Sequence, residues 1–169
     1  MFATKFPFKA AIHLAATVCL ACLAHSAAAQ NKSEVVVKLT AQKIVATGGV
    51  EALVSAEQAK PGDVVQYDAV YRNGSSAAVK NLLATVPIPN GLAFVAESAR
   101  PEPAQASVDG KNFAPIPLTR EVTKPDGTKE TQEIPLTEYR ALRWSIAELA
   151  AGKSITVTAR ARVLTNGNR

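Results

Sequence analysis

The chain has 169 residues, 19 Lys and Arg against 14 Asp and Glu, and a formal net charge of +5. Its Cys and His residues fall at His13, Cys19, Cys22 and His25. Everything after residue 25 therefore lacks the usual general base, the thiol nucleophile, the preferred zinc and copper ligands, and any disulfide.

The N-terminus has the three parts of a secretory signal. Lys5 and Lys9 form a positive start, an apolar run extends from Ala10 to Ala24, and His25-Ser26-Ala27-Ala28-Ala29 is a small-residue flank. Signal peptidase accepts small side chains at the −3 and −1 positions, which Ala27 and Ala29 supply. The expected cut lies between Ala29 and Gln30, with residues 1–29 as signal peptide. The apolar run is roughly 15 residues, short of the ~20 that span a bilayer, so no stable membrane anchor is expected after cleavage. Cys22 lacks a Leu three residues before it, which argues against a lipoprotein. Loss of Lys5 and Lys9 lowers the net charge to about +3, a weak electrostatic footprint. No block of Lys and Arg is present and the aromatics do not alternate with basic residues, so nucleic acid is not an expected partner. The length that remains suits one domain, large enough to fold without metal or disulfide.

The period of the mature chain is two. Val35, Val37, Leu39 and Ala41 share one face of an opening strand, and Glu34, Lys38, Thr40 and Gln42 share the other, with Val36 as an exception. Residues 30–58 make this strand and a lead-in. Gly49–Ala59, rich in Ala and Glu, reads as strand or loop with room for one helical turn. A strand follows at Val64–Arg72, with Val65, Tyr67, Ala69 and Tyr71 in register. Asn73-Gly74-Ser75-Ser76 reads as a hairpin-type turn into a strand at Val79–Val86. After Pro89-Asn90-Gly91 a short strand is expected at Leu92–Ala96. Pro101, Pro103, Pro115 and Pro117 each remove a ladder donor, which places Ala99–Leu118 at edges or in loops. Asp109-Gly110 marks a short hairpin, and Arg120–Glu133 a polar one around Pro125-Asp126-Gly127. A strand near Tyr139–Ile146 carries Leu142, Trp144 and Ile146 on one face. In the last strand Ile155, Val157, Ala159, Ala161 and Val163 alternate with Ser154, Thr156, Thr158, Arg160 and Arg162. Short strands with frequent turn signals predict an all-β sandwich. The sandwich is expected over residues 59–164 together with 30–58, as an immunoglobulin-like antiparallel fold of about seven to nine strands, with 165–169 as a short tail.

Three stretches then resemble a known family. They are Lys60-Pro61-Gly62-Asp63-Val64-Val65-Gln66-Tyr67 with Tyr71-Arg72-Asn73, Val86-Pro87-Ile88-Pro89-Asn90-Gly91-Leu92-Ala93-Phe94-Val95, and Arg143-Trp144-Ser145-Ile146-Ala147-Glu148-Leu149-Ala150-Ala151-Gly152-Lys153. Together they resemble the bacterial surface repeat catalogued as domain of unknown function 11, an immunoglobulin-like module. The chain departs from it at Pro87-Ile88 and in an expanded middle, Ala99–Glu138. The resemblance implies surface or adhesion contexts in bacteria. Pro61, Gly62 and Asp63 would set the entry to a strand, Trp144 would fill the space between sheets, and Gly152 would permit the bend before the last strand.

Chemistry-bearing clusters are sparse. Asp63, Asp68, Asp109 and Asp126 are the oxygen ligands open to calcium, but no Asp-x-Asp-x-Asp loop is present, and turn chemistry is the expectation. Glu130 and Glu133 lie beside Lys124 and Lys129 on a hairpin and read as a solvated face. Asn73-Gly74-Ser75 and Asn31-Lys32-Ser33 read as turn or linker residues. No cofactor is expected. The polar hairpin offers a partner contact through Lys124, Asp126 and Lys129, beside the simpler reading of an edge kept polar against aggregation. The leading expectation is an exported, non-enzymatic immunoglobulin-like module, periplasmic or secreted, that contacts an envelope protein or a surface polymer. Two alternatives stand beside it. A carbohydrate-binding domain would need Tyr71, Phe113 and Tyr139 exposed. A chaperone-like binder would need a long, apolar, uncovered edge strand. Intact-mass measurement of the exported protein should place its N-terminus at Gln30, and Ala29→Phe should make the uncut precursor accumulate; an unchanged cut in that variant would refute the site.

Overall fold

A computed structural model of the chain describes residues 35–165. The expected signal segment with its cut between Ala29 and Gln30, the Asn31-Lys32-Ser33 stretch, Glu34 and residues 166–169 of the expected tail lie outside the described residues. Apart from one 3-10 turn at Leu136–Glu138, the regular structure is strand: β1 Val35–Thr47, β2 Val50–Ser55, β3 Val64–Asn73, β4 Val79–Pro87, β5 Leu92–Phe94, β6 Gln105–Ser107, β7 Ala114–Pro115, β8 Thr119–Thr123, β9 Lys129–Glu133, β10 Ala141–Leu149 and β11 Ser154–Val163. A five-stranded sheet runs β2-β1-β3-β11-β5, a four-stranded sheet runs β4-β10-β6-β7, and β8-β9 form a separate ribbon. Every pairing is antiparallel. The all-β sandwich expected from the alternation is the observed fold.

The alternation settles which side chains fill the space between the sheets. Val65, Ala69 and Tyr71 of β3 are buried, as are Val157, Ala159 and Ala161 of β11. From the other sheet come Ala84 and Val86 of β4 and Leu142 and Trp144 of β10. Trp144 is the largest of these side chains. Its indole N–H donates to the Pro101 carbonyl at 2.6 Å, so burying the ring strands no donor. Tyr139, also fully buried, stacks on Phe94 with ring centroids 5.8 Å apart. Its hydroxyl accepts the Leu118 N–H at 2.8 Å.

Two expectations need correction. Asn73-Gly74-Ser75-Ser76 does not close a hairpin, because β3 and β4 belong to different sheets. It is a corner between layers. The Asn73 side chain is fully buried there and donates to the carbonyls of Ala77 at 2.7 Å and Leu149 at 2.9 Å. Its oxygen accepts from the Ser75 N–H and hydroxyl, and its own N–H donates to Lys153 at 2.9 Å. The second correction concerns β1. Val37 and Leu39 face the core side, as Cα partners of Tyr71 and Ala69, yet they remain 50% and 45% exposed. Among the described residues, the core cluster that packs Val35 does not extend to them. Smaller adjustments are that Gly49–Ala59 holds a strand and no helix, and that the strand after Asn90-Gly91 ends at Phe94.

Trp144→Ala should lower the unfolding free energy by about 3–5 kcal/mol through lost burial and the cavity left behind. Asn73→Ala should cost about 1–3 kcal/mol, because buried carbonyls at the corner lose their donor. Urea titration followed by circular dichroism measures both; an Asn73→Ala variant as stable as the parent would show that the corner holds without it.

Candidate functional site

The turn carboxylates, the candidate ligands, are each held by neighbouring groups. Gly62 takes φ 91°, a conformation open mainly to glycine. Its N–H donates to Val163 at 2.8 Å. Asp63 accepts the Lys60 N–H at 2.7 Å and pairs with Lys43 at 3.3 Å. The Lys60 N–H, and then Lys43, hold its carboxyl below the usual range. Pro61-Gly62-Asp63 thus stitches the start of β3 to the end of β11. Gly152, at φ 68°, makes the comparable bend between β10 and β11. Asp68 accepts from the Thr158 hydroxyl at 2.6 Å and from Gln66. Asp109 accepts the Asn112 and Lys111 N–H groups, each at 2.8 Å, and then the Ser107 hydroxyl; these bonds hold it far below the usual carboxylate range. The Thr128 hydroxyl and N–H do the same for Asp126 to a lesser degree. Each carboxylate is engaged by its own turn or strand. Among the described residues no three acidic groups gather into a metal-sized cluster.

The β8–β9 ribbon brings Lys124, Asp126 and Lys129 to one exposed tip. Most of its charges are paired: Lys124 with Glu130 at 2.9 Å, Lys129 with Glu121, and Arg120 with Glu138 of the 3-10 turn at 3.1 Å. Glu133 sits opposite Thr119 at the ribbon's base. The cleft beside β5 is similarly committed. Arg100 donates to the Glu97 and Ala99 carbonyls and to Glu102. Arg160 donates to Gln66 at 3.1 Å and to both carboxylate oxygens of Glu51. The candidate aromatics form no platform: Tyr71 and Tyr139 are buried, and Arg143 covers a face of Phe113 at 3.9 Å from the ring centroid.

One region is left open. On the inner face of the wide sheet, Val37, Leu39 and Val54 are exposed, and so is Val50 at the tip of the β1–β2 hairpin. Cα pairing places Val50, Ala52 and Val54 on the same side as Val37, Lys43 and Val45, with Lys43, which pairs with Asp63, directly opposite Val54. The outer face of that hairpin is tied down by the Arg160–Glu51 pair, so the strands are held while their apolar side stays bare. Val37 and Leu39 are neighbours on one strand face, and grouped exposed apolar side chains mark contact sites more often than isolated ones do. Sequence reasoning missed the region because a period of two reveals which residues share a face, not whether a second layer reaches it. Comparison with family models, with curated proteins and with solved structures found no match.

The Asp109 geometry has a pH consequence. A carboxyl whose folded pKa is depressed adds stability that is fully present above its unfolded value of about 3.9 and is lost as pH falls through the folded value. A carbon-13 carboxyl titration should find Asp109 still ionised below the ordinary Asp value of about 3.9. An ordinary Asp109 midpoint would contradict the turn.

Proposed function

We propose that this protein is an exported β-sandwich module, periplasmic or secreted, that acts by binding another protein of the envelope and carries out no reaction. The signal-like N-terminus supports export, and the lack of His and Cys beyond residue 25 supports a role without catalysis. The observation that carries the reading is the exposure of the apolar side chains Val37 and Leu39 of β1 and Val54 of β2 on the inner side of the sheet. The resemblance of Pro61-Gly62-Asp63 and Trp144 to a bacterial surface repeat agrees with an envelope setting. The open edge of β1 favours the chaperone-like alternative as the mode of binding. The carbohydrate reading lacks its exposed aromatic row, and the self-paired charges of the β8–β9 ribbon favour a solubilising role for Lys124, Asp126 and Lys129.

The test is affinity capture from the exported fraction with three variants. Leu39→Asp places a charge on the proposed face and should abolish capture of the partner that the parent retains. Leu83→Asp places the same charge at a 54% exposed site on the other sheet and should not. Removal of Lys124–Lys129 should also leave capture intact. Both Asp variants change exposed positions, so their stabilities should stay within about 0.5 kcal/mol of the parent. Equal capture by the parent and Leu39→Asp would reject the face.

A further inference from the structure

We propose that the free edge of β1 takes up an extended segment of a second protein, apolar at alternate positions and acidic between them. This rests on the protein-binding reading above and specifies how the partner is held. β3 pairs with β1 over Val35–Ile44, whereas β2 pairs with it only over Gln42–Thr47. The row that β2 occupies is therefore half filled, and Val35–Ala41 has no neighbour on that side among the described residues. The open stretch is roughly 23 Å long at the rise of a strand.

Hydrogen-bond parity identifies the open groups. The Asn73 N–H goes to Lys153, and the Asp63 carbonyl accepts from Val163. Odd-numbered residues of β3 thus bond toward β11, and even-numbered ones toward β1. Arg72, Val70 and Asp68 pair with Val36, Lys38 and Thr40, so these residues of β1 spend their backbone groups on β3. Val35, Val37, Leu39 and Ala41 point theirs at the empty row. No described residue bonds them.

The β4 edge differs. The Thr85 N–H donates to the Tyr71 hydroxyl at 2.7 Å, and that hydroxyl donates back to the Thr85 carbonyl at 2.8 Å. Pro87 has no N–H, and Asn81 at φ 53° interrupts the pairing. Three devices guard β4, whereas β1 has one charged residue, Lys38, on its open stretch.

Side-chain chemistry defines the occupant. Residues opposite Val37, Leu39 and Ala41 would share the bare apolar face. Residues opposite Val36, Lys38 and Thr40 would lie on the outer face. Lys38 and Arg72 are exposed there and make no salt bridge among the described residues, so an acidic side chain suits that position. A second copy does not. The antiparallel register that pairs all of Val35–Ala41 with its own copy sets Lys38 directly against Lys38, which is unfavourable.

The probes are three synthetic peptides: alternating Val and Asp over seven residues, the same with Lys for Asp, and the acidic peptide methylated on its Val nitrogens. Each is titrated into the isotope-labelled exported chain and followed by amide shifts and hydrogen exchange. The acidic peptide should shift and protect the N–H groups of Val37, Leu39 and Ala41. The Lys peptide should bind about tenfold more weakly, the methylated peptide should not pair, and Lys38→Glu should reverse the charge preference. The proposal fails if the acidic peptide leaves these amides unchanged, if methylation makes no difference, if both charges bind alike, or if the chain pairs with itself through β1. Leu39→Asp that still abolishes partner capture after such a failure would overturn strand addition alone and retain the binding face.

Discussion

The buried amide of Asn73 ties together two of the places where the chain changes sheets. One crossing is β3 to β4 and the other is β10 to β11. Asn73 donates its side-chain N–H groups to Ala77 in the first crossing and Leu149 at the second, and its backbone N–H to Lys153. With its oxygen taken by Ser75, the side chain has little hydrogen-bonding capacity to spare. Both crossings are thereby fixed at the same end, so the antiparallel pair β3–β11 stacks on the pair β4–β10. Trp144, Leu142, Val86 and Val157 fill the space inside this four-strand box, and the other strands are additions to its sides.

That arrangement determines where surface is left over. In the four-stranded sheet β4 is the edge, and in the five-stranded sheet two further strands lie beyond β3. Among the described residues, Val35 is the one hydrophobic side chain of β1 and β2 that packs against the core, and Val37 and Leu39 stay exposed. On the other side β5 adds Phe94, which meets Tyr139, so the core continues there. The overhang is held from outside by Arg160, which reaches from β11 to Gln66 on β3 and to Glu51 on β2. Partly exposed ion pairs of this kind contribute little each. Their use here is to fix the position of strands whose inner face contributes little burial.

Much of the fold was legible in the sequence, and what was legible was local. The strict alternation in Ser154–Val163, the Asp126-Gly127 turn and the facing of Leu142 and Trp144 all follow from strand geometry and turn chemistry. Those signals read the same in the structure. The role of Asn73 was not legible, because Asn-Gly suits a hairpin and a corner equally, and only the sheet membership of β3 and β4 separates them. The exposure of Val37 and Leu39 was hidden for a related reason. Their pattern matches that of Ile155 and Val157, and the difference lies in whether a layer covers them. Candidate ligands such as Asp63 and Asp109 were visible as residues, but their commitment to backbone N–H groups appears only in three dimensions.

The contrast between the two edges on this side of the sandwich is the strongest argument about use. β4 at the edge of one sheet and β1 along its half-filled row in the other both leave backbone groups unpaired, and so both meet the same aggregation hazard. At β4 the hazard is answered by a tyrosine hydroxyl on Thr85, a proline at 87 and a left-handed residue at Asn81. At β1 the open backbone groups coincide with the exposed apolar side chains of Val37 and Leu39, and a single lysine guards them. Leaving β1 open costs the monomer part of the burial a covered Val or Leu provides, about 1.5–3 kcal/mol when complete. A general inability to protect edges does not explain this, since β4 is protected three times over. The open strand is also the one whose backbone groups and apolar face a single extended partner would satisfy together.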